Sequence, residues 1–198
     1  PDVAAAFRKA VDQAGLKLVV AHDSYLINPA SADKTLREKS IQGLVTELER
    51  ADLLGIPWVV AHPGAAGKQD RMIAVQSAAD GIVEALRRTK KLSSGILIET
   101  TAGQGTCLGH TFEEIATMLD RIDTFKTLQK RVAVCLDTCH VFAAGYPLHP
   151  KKLLDDTIRQ FDKTIGISRL KVIHANDSKR EQGSRVDRHE GIGQGAIG

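Results

Sequence analysis

The sequence predicts an α/β protein built as a TIM-type (β/α)8 barrel, here incomplete, with about five βα units and the first and last strands missing. Three observations predict it. Short, β-branched apolar runs recur: LKLVVAH, IPWVVAH, GILIET, VAVCLD and LKVIHAND. Longer helix-like stretches alternate with them, over residues 34–54, 70–91, 111–122 and 152–165. Strands of this length alternating with long helices argue for βα units and a parallel sheet. Finally, an ionisable residue closes each run. These are His22, His62, Glu99, Asp137 and His174, at intervals of 40, 37, 38 and 37 residues. One such residue per unit converges on the mouth of a barrel, whereas a doubly wound sheet would spread them along a crevice.

The elements follow from local signals. Strands are expected at about 17–21, 57–61, 95–99, 132–137 and 170–174. They are apolar almost throughout, which fits burial on both faces. Residues 91–95 and 145–150 carry the glycine and proline punctuation of loops. No hinge-like linker divides the chain, so residues 1–198 are expected to form a single domain. The chain starts at Pro1 and ends at Gly198, just after a glycine-rich loop, so both ends are expected to be cut.

Composition bounds the partners. The chain has 198 residues, enough for one substantial core, and its 42% hydrophobic and 26% charged residues are an ordinary globular balance. Lys and Arg number 27 against 24 Asp and Glu, a basic excess too small for a dedicated non-specific nucleic-acid binder. No apolar run is long enough to cross a bilayer, and the first residues do not form a signal peptide. Cys107, Cys135 and Cys139 are too few and too oddly numbered for a disulfide framework. An intracellular monomer with no membrane association is expected, cytoplasmic in a bacterium and nuclear or mitochondrial in a eukaryote.

Histidine nitrogens and carboxylate oxygens suit zinc or manganese in a hydrolytic site. Two further pairs join the strand-end series. His140 lies three residues beyond Asp137 in DTCH, and Asp187 lies two before His189 in DRH. Residues i and i+2 of an extended segment share a face and can grip one ion. The candidate ligands are therefore His22, His62, Glu99, Asp137, His140, His174, Asp187 and His189. One catalytic zinc takes about three protein ligands, so eight imply two or three ions. A lone strand-end histidine equally serves to satisfy a loop, but five in step do not. His110 and His149 are set aside as surface or capping residues. A multi-metal cleft suits phosphate-ester hydrolysis, other hydrolyses and sugar isomerisation alike.

Several long motifs then add a resemblance. HDSYLIN from His22, HPG from His62, IETTAGQG from Ile98, DTCHVFAAGY from Asp137, HANDSK from His174 and GSRVDRHEGIGQGAIG from Gly183 occur in order, nearly end to end. In these the chain resembles the endonuclease IV family of apurinic/apyrimidinic endonucleases. The resemblance implies a (β/α)8 barrel with three Zn2+ ions. It implies cleavage of the phosphodiester 5′ to an abasic site in double-stranded DNA, leaving a 3′-hydroxyl and a 5′-deoxyribose phosphate, and removal of 3′ blocking groups. A metal-activated hydroxide is the implied nucleophile. His22 and His62 would ligate one zinc, bridged by Glu99 to a second on Asp137 and His174. His140, Asp187 and His189 would hold the third. The family's further glutamate ligand, on its last strand, lies beyond Gly198, so fewer ions are expected here. Two departures, Ala65 and Ala66 after HPG and Thr100 after the bridging glutamate, are expected to tune hydrogen bonds around the ligands.

The same resemblance assigns Tyr25 and Leu26 to a loop that enters the minor groove at the lesion; from the residues alone they could equally cap the core. Lys179, Arg180, Arg185 and Arg188 are expected to touch phosphates, which positions DNA without reading sequence. Two other readings compete. A sugar isomerase or epimerase of the xylose isomerase-like class would also place His, Glu and Asp at strand ends, but has no use for a third site at DRH. A DNA-binding module without catalysis would waste the ligands.

Overall fold

The computed structural model describes residues 2–198. Five parallel strands form one sheet in sequence order: β1 (Val20–His22), β2 (Trp58–Ala61), β3 (Gly95–Glu99), β4 (Val132–Asp137) and β5 (Leu170–His174). The helices are α1 (Asp2–Gln13), α2 (Lys34–Leu54), α3 (Arg71–Arg88), α4 (Phe112–Asp123), α5 (Thr138–Ala144) and α6 (Lys151–Thr164). A two-stranded antiparallel ribbon, β6 (Asp177–Ser178) and β7 (His189–Glu190), follows the sheet. This is an incomplete TIM-type barrel: five strands of a barrel wall, with the outer strands missing.

Capping explains where the long helices begin. Asp33 accepts the Leu36 amide at 2.8 Å ahead of α2, Asp70 accepts the Met72 and Ile73 amides ahead of α3, and Thr111 accepts that of Glu114 ahead of α4. Gly55 ends α2 at φ +73°, a left-handed turn that glycine enters without steric cost.

Alternation along the strands divides two cores. Val59, Ala61, Ile96, Ile98, Val134 and Leu136 belong to a large cluster shared with the helices. Val60, Leu97, Ala133 and Cys135 form a small cluster on the opposite face, with Val20, Trp58 and Val172 at its margin. That face is the interior of the barrel wall. Two residues beyond Val20, Val60, Leu97, Cys135 and Val172 stand His22, His62, Glu99, Asp137 and His174. A period of two therefore continues the interior face straight into the ionisable layer at the strands' C-terminal ends.

The central strands β3 and β4 are wholly buried, but the edges are not. β5 alternates between half-buried and exposed residues, and Ile173 is 55% exposed. Among the described residues β5 is the last strand of the sheet, and its positions are correspondingly open. At the other edge, Lys17 to Val19 fall outside β1, because its register with β2 begins at Val20 opposite Trp58. The N-terminal helix α1 carried no expectation. It packs against α2, with Ala4 buried and Phe7 partly buried against the large core cluster.

Candidate metal centre

Glu99 is the hub. It is 1% exposed, and its Oε2 lies 2.8 Å from His22 Nε2 and 2.9 Å from His62 Nε2. Its Oε1 lies 2.8 Å from His174 Nδ1 and 3.6 Å from His140 Nδ1. Burial pushes the Glu99 carboxyl up, but the contacts from His174, His22 and His62 outweigh it and hold the group well below the ordinary carboxylate range. In return, the Asp23 side chain and then Glu99 lift His22 to about 10.

A second cluster sits beside the first. His140 Nε2 is 3.2 Å from Asp187 Oδ2 and 3.3 Å from His189 Nε2, and His189 Nε2 is 3.2 Å from Asp187 Oδ1. Burial lowers the pKa of His140, but Asp187 and the carboxylates behind it lift it to about 9. Asp137 lies between the clusters, fully buried, with Oδ2 3.9 Å from His174 Nδ1 and 3.8 Å from His189 Nε2.

Local structure sets these positions. Asp137 ends β4 and caps α5 by accepting the His140 amide at 2.9 Å, so one short turn presents both side chains. His140 Nδ1 donates to the Thr100 carbonyl at 2.7 Å, leaving Nε2 toward Asp187 and His189. Thr100 Oγ1 accepts the Asp137 amide at 2.9 Å, so the departure at this position still supports both residues. Asp187, in the loop between β6 and β7, and His189, which opens β7 opposite Ser178, reach the cleft together.

The arrangement fits cations. Three-residue groups with ligand atoms within 4.8 Å of one another include His22, His62 and Glu99; His140, Asp187 and His189; and Glu99, Asp137 and His140. The His62 Nε2 atom is buried without a hydrogen-bond partner, although Glu99 Oε2 lies 2.9 Å away. A lone pair and a carboxylate facing each other in this way suit a shared positive ion. Two groups also contain cysteines the sequence left out: Cys135 with Glu99 and His174, and Cys139 with Asp137 and His189. Burial pushes both thiols up, which disfavours the thiolate that binds metal.

All eight expected ligands converge on this cleft. Tyr25 and Leu26 are 84% and 69% exposed on the turn after β1, so they do not cap the core. Tyr25 lines a cleft of about 190 Å³ with His62, Gln104, His140 and Asp187. Lys179, Arg180, Arg185 and Arg188 are all exposed around the ribbon; Lys179 approaches Glu190 at 3.8 Å. His110 corrects an expectation. Its side chain is mostly buried, and its Nδ1 meets Arg71 Nη2 at 2.6 Å beside Glu114, so it braces the 101–110 loop instead of facing solvent. Supports that the sequence reading missed are Asn176, whose Nδ2 donates to Asp137 Oδ2 at 2.6 Å, and Gln104, whose Oε1 accepts the Asp187 amide at 3.0 Å. Asn176 lies in HANDSK and Gln104 in IETTAGQG, where a polar amide carries no separate signal.

The wall of parallel strands and the histidines and carboxylates clustered at its mouth define a β/α-barrel protein whose cleft can hold metal ions. A family model described as a xylose isomerase-like TIM barrel matches residues 1–198. The chain is 44% identical over 198 residues to a probable endonuclease 4 of Chloroflexus aurantiacus, covering 100% of this chain and 68% of that protein. It overlays endonuclease IV from Thermus thermophilus with a TM-score of 0.83 and 36% identity, covering 100% of this chain and 67% of that one. The chain belongs to the endonuclease IV family of AP endonucleases. A D-tagatose 3-epimerase-like protein, at 21% identity and a TM-score of 0.76, shares the fold. No helix among the described residues is long and apolar enough to cross a membrane.

Proposed function

We propose that this chain is the zinc-binding part of a DNA repair endonuclease that hydrolyses the phosphodiester 5′ to an abasic site, leaving a 3′-hydroxyl and a 5′-deoxyribose phosphate, and that clears 3′ blocking groups. The observation that carries the proposal is Glu99, buried under four imidazoles and flanked by a second ligand cluster. Residues 1–198 act as one domain on double-stranded DNA.

His22, His62 and Glu99 would hold one zinc, Glu99 with Asp137 and His174 a second, and His140, Asp187 and His189 a third. Zinc supplies acidified water near neutral pH and a charge sink for the phosphate and its departing 3′-oxygen. The protein's contribution is to fix where that chemistry happens. Thr100 and Asn176 orient the Asp137–His140 turn, and Gln104 braces the Asp187 loop. Tyr25 and Leu26 enter the gap left by the missing base, where unstacking costs least. Lys179, Arg185 and Arg188 take backbone phosphates.

The relatives that share only the fold include epimerases, but the His140–Asp187–His189 cluster has no role in a one- or two-metal isomerisation. Incision of a duplex with a single abasic site, compared with the same duplex intact and with both after chelation, tests the proposal. Zinc-dependent incision confined to the abasic strand is expected. Equal cleavage of both duplexes, or cleavage by protein that elemental analysis shows to be free of zinc, rejects it.

A further inference from the structure

Asp23 directly follows His22, and no expectation attached to it. Its side chain is 1% exposed, and neither carboxylate oxygen has a hydrogen-bond partner. Among the described residues it is the one carboxylate with both oxygens buried and unpartnered. A carboxylate taken from water without donors is costly, so its retention calls for a compensating role. Its surroundings name that role. The Asp23 amide donates to the Val60 carbonyl at 2.9 Å, which ties the turn after β1 to β2. The His22 ring stands between Asp23 and Glu99. Its Nδ1 donates to the Asp23 carbonyl at 2.9 Å and lies 3.6 Å from Asp23 Oδ1, while Nε2 faces Glu99 at 2.8 Å.

We propose that Asp23 is a positioning residue for the metal centre: its carboxylate stands behind His22 Nδ1–H, keeps Nε2 aimed at the ion shared with His62 and Glu99, and makes the imidazole a stronger donor to it. This rests on the reading of His22 as a zinc ligand. The backbone carbonyl alone selects the tautomer; the carboxylate adds negative charge on the side of the ring away from the ion. Carboxylate–histidine–metal series are a recurrent means of raising ligand basicity, and loss of the outer carboxylate typically costs about 10- to 100-fold in metal affinity.

The test compares Asp23→Asn with the unaltered chain and with His22→Ala. Zinc affinity is read by competition with a chromophoric chelator, and the unfolding midpoint of each metal-free protein is read in parallel. Asp23→Asn keeps the shape and removes an unpartnered buried charge. Its zinc affinity at the His22 site should fall about 10- to 100-fold, with the remaining ions unaffected and the metal-free midpoint unchanged or raised. A merely structural role would lower affinity and midpoint together, and that result overturns the inference. Unaltered zinc affinity in Asp23→Asn, with one site lost in His22→Ala, overturns it while sparing the ligand assignment. If His22→Ala binds zinc as the unaltered chain does, both fall.

Discussion

Glu99→Gln is the substitution that bears most directly on the chemistry. It keeps the volume of a side chain that is 1% exposed, so packing changes little. What it removes is one negative charge from a pocket lined by His22 and His174 at 2.8 Å and His62 at 2.9 Å. Two unit charges about 4 Å apart interact by about 4 kcal/mol at an effective dielectric near 20. That corresponds to about a 10³-fold change in an equilibrium constant, and a divalent ion loses at least as much. Zinc affinity at the His22–His62 site should therefore fall about 10³-fold, and single-turnover incision of an abasic duplex should fall at least as far. Duplex affinity should change less than tenfold, because Tyr25, Leu26 and the basic ribbon are untouched. Chelator competition, duplex binding and single-turnover cleavage measure the three quantities. A Glu99→Gln protein with normal metal content and full cleavage would refute the bridging role.

Three other perturbations separate the parts of the site. Tyr25→Ala removes an 84% exposed ring at the cleft mouth, so abasic-duplex affinity should drop about tenfold or more, about 1.4 kcal/mol; loss of zinc in this variant would contradict its assignment to DNA. His189→Ala should release one zinc equivalent while the His22–His62 site keeps its affinity, which elemental analysis after dialysis reads directly; loss of every ion would contradict separate clusters. Away from the metals, burial opposes ionisation of Glu114, but His110, Arg71 and the Gly109 amide hold its carboxyl down at about 2 against an ordinary 4.5. A depressed carboxyl pKa gives stability that is full above 4.5 and lost as pH falls through 2. The loss should be about 2 kcal/mol after allowance for the part-exposed Arg71. Acid unfolding of Glu114→Gln should lack this component; identical pH profiles for both proteins would reject it.

The strand ends were the legible part of the sequence because two simple periods coincide there. One ligand-like residue per βα unit marks the wall, and a two-residue step from Val60 to His62 or Cys135 to Asp137 puts each side chain on the interior face. Helix starts were equally open to reading, since Asp33, Asp70 and Thr111 cap by local rules. Less legible were effects that depend on what lies across space. Ile173 reads as core in a strand pattern, and its 55% exposure follows from β5 being the last sheet strand among the described residues. His110 has no helical or strand periodicity, yet it is held by Arg71 from 39 residues away. Asp23 reads as an ordinary polar neighbour of a ligand, and only the packed turn reveals its missing donors.

Anomalous diffraction at the zinc edge, from crystals grown with zinc, tests the central claim most directly. Peaks are expected among His22, His62 and Glu99, among His140, Asp187 and His189, and between Glu99, Asp137 and His174. A map with no peak in the cleft, or with zinc only at surface histidines such as His149, would contradict a metal centre built from the strand ends.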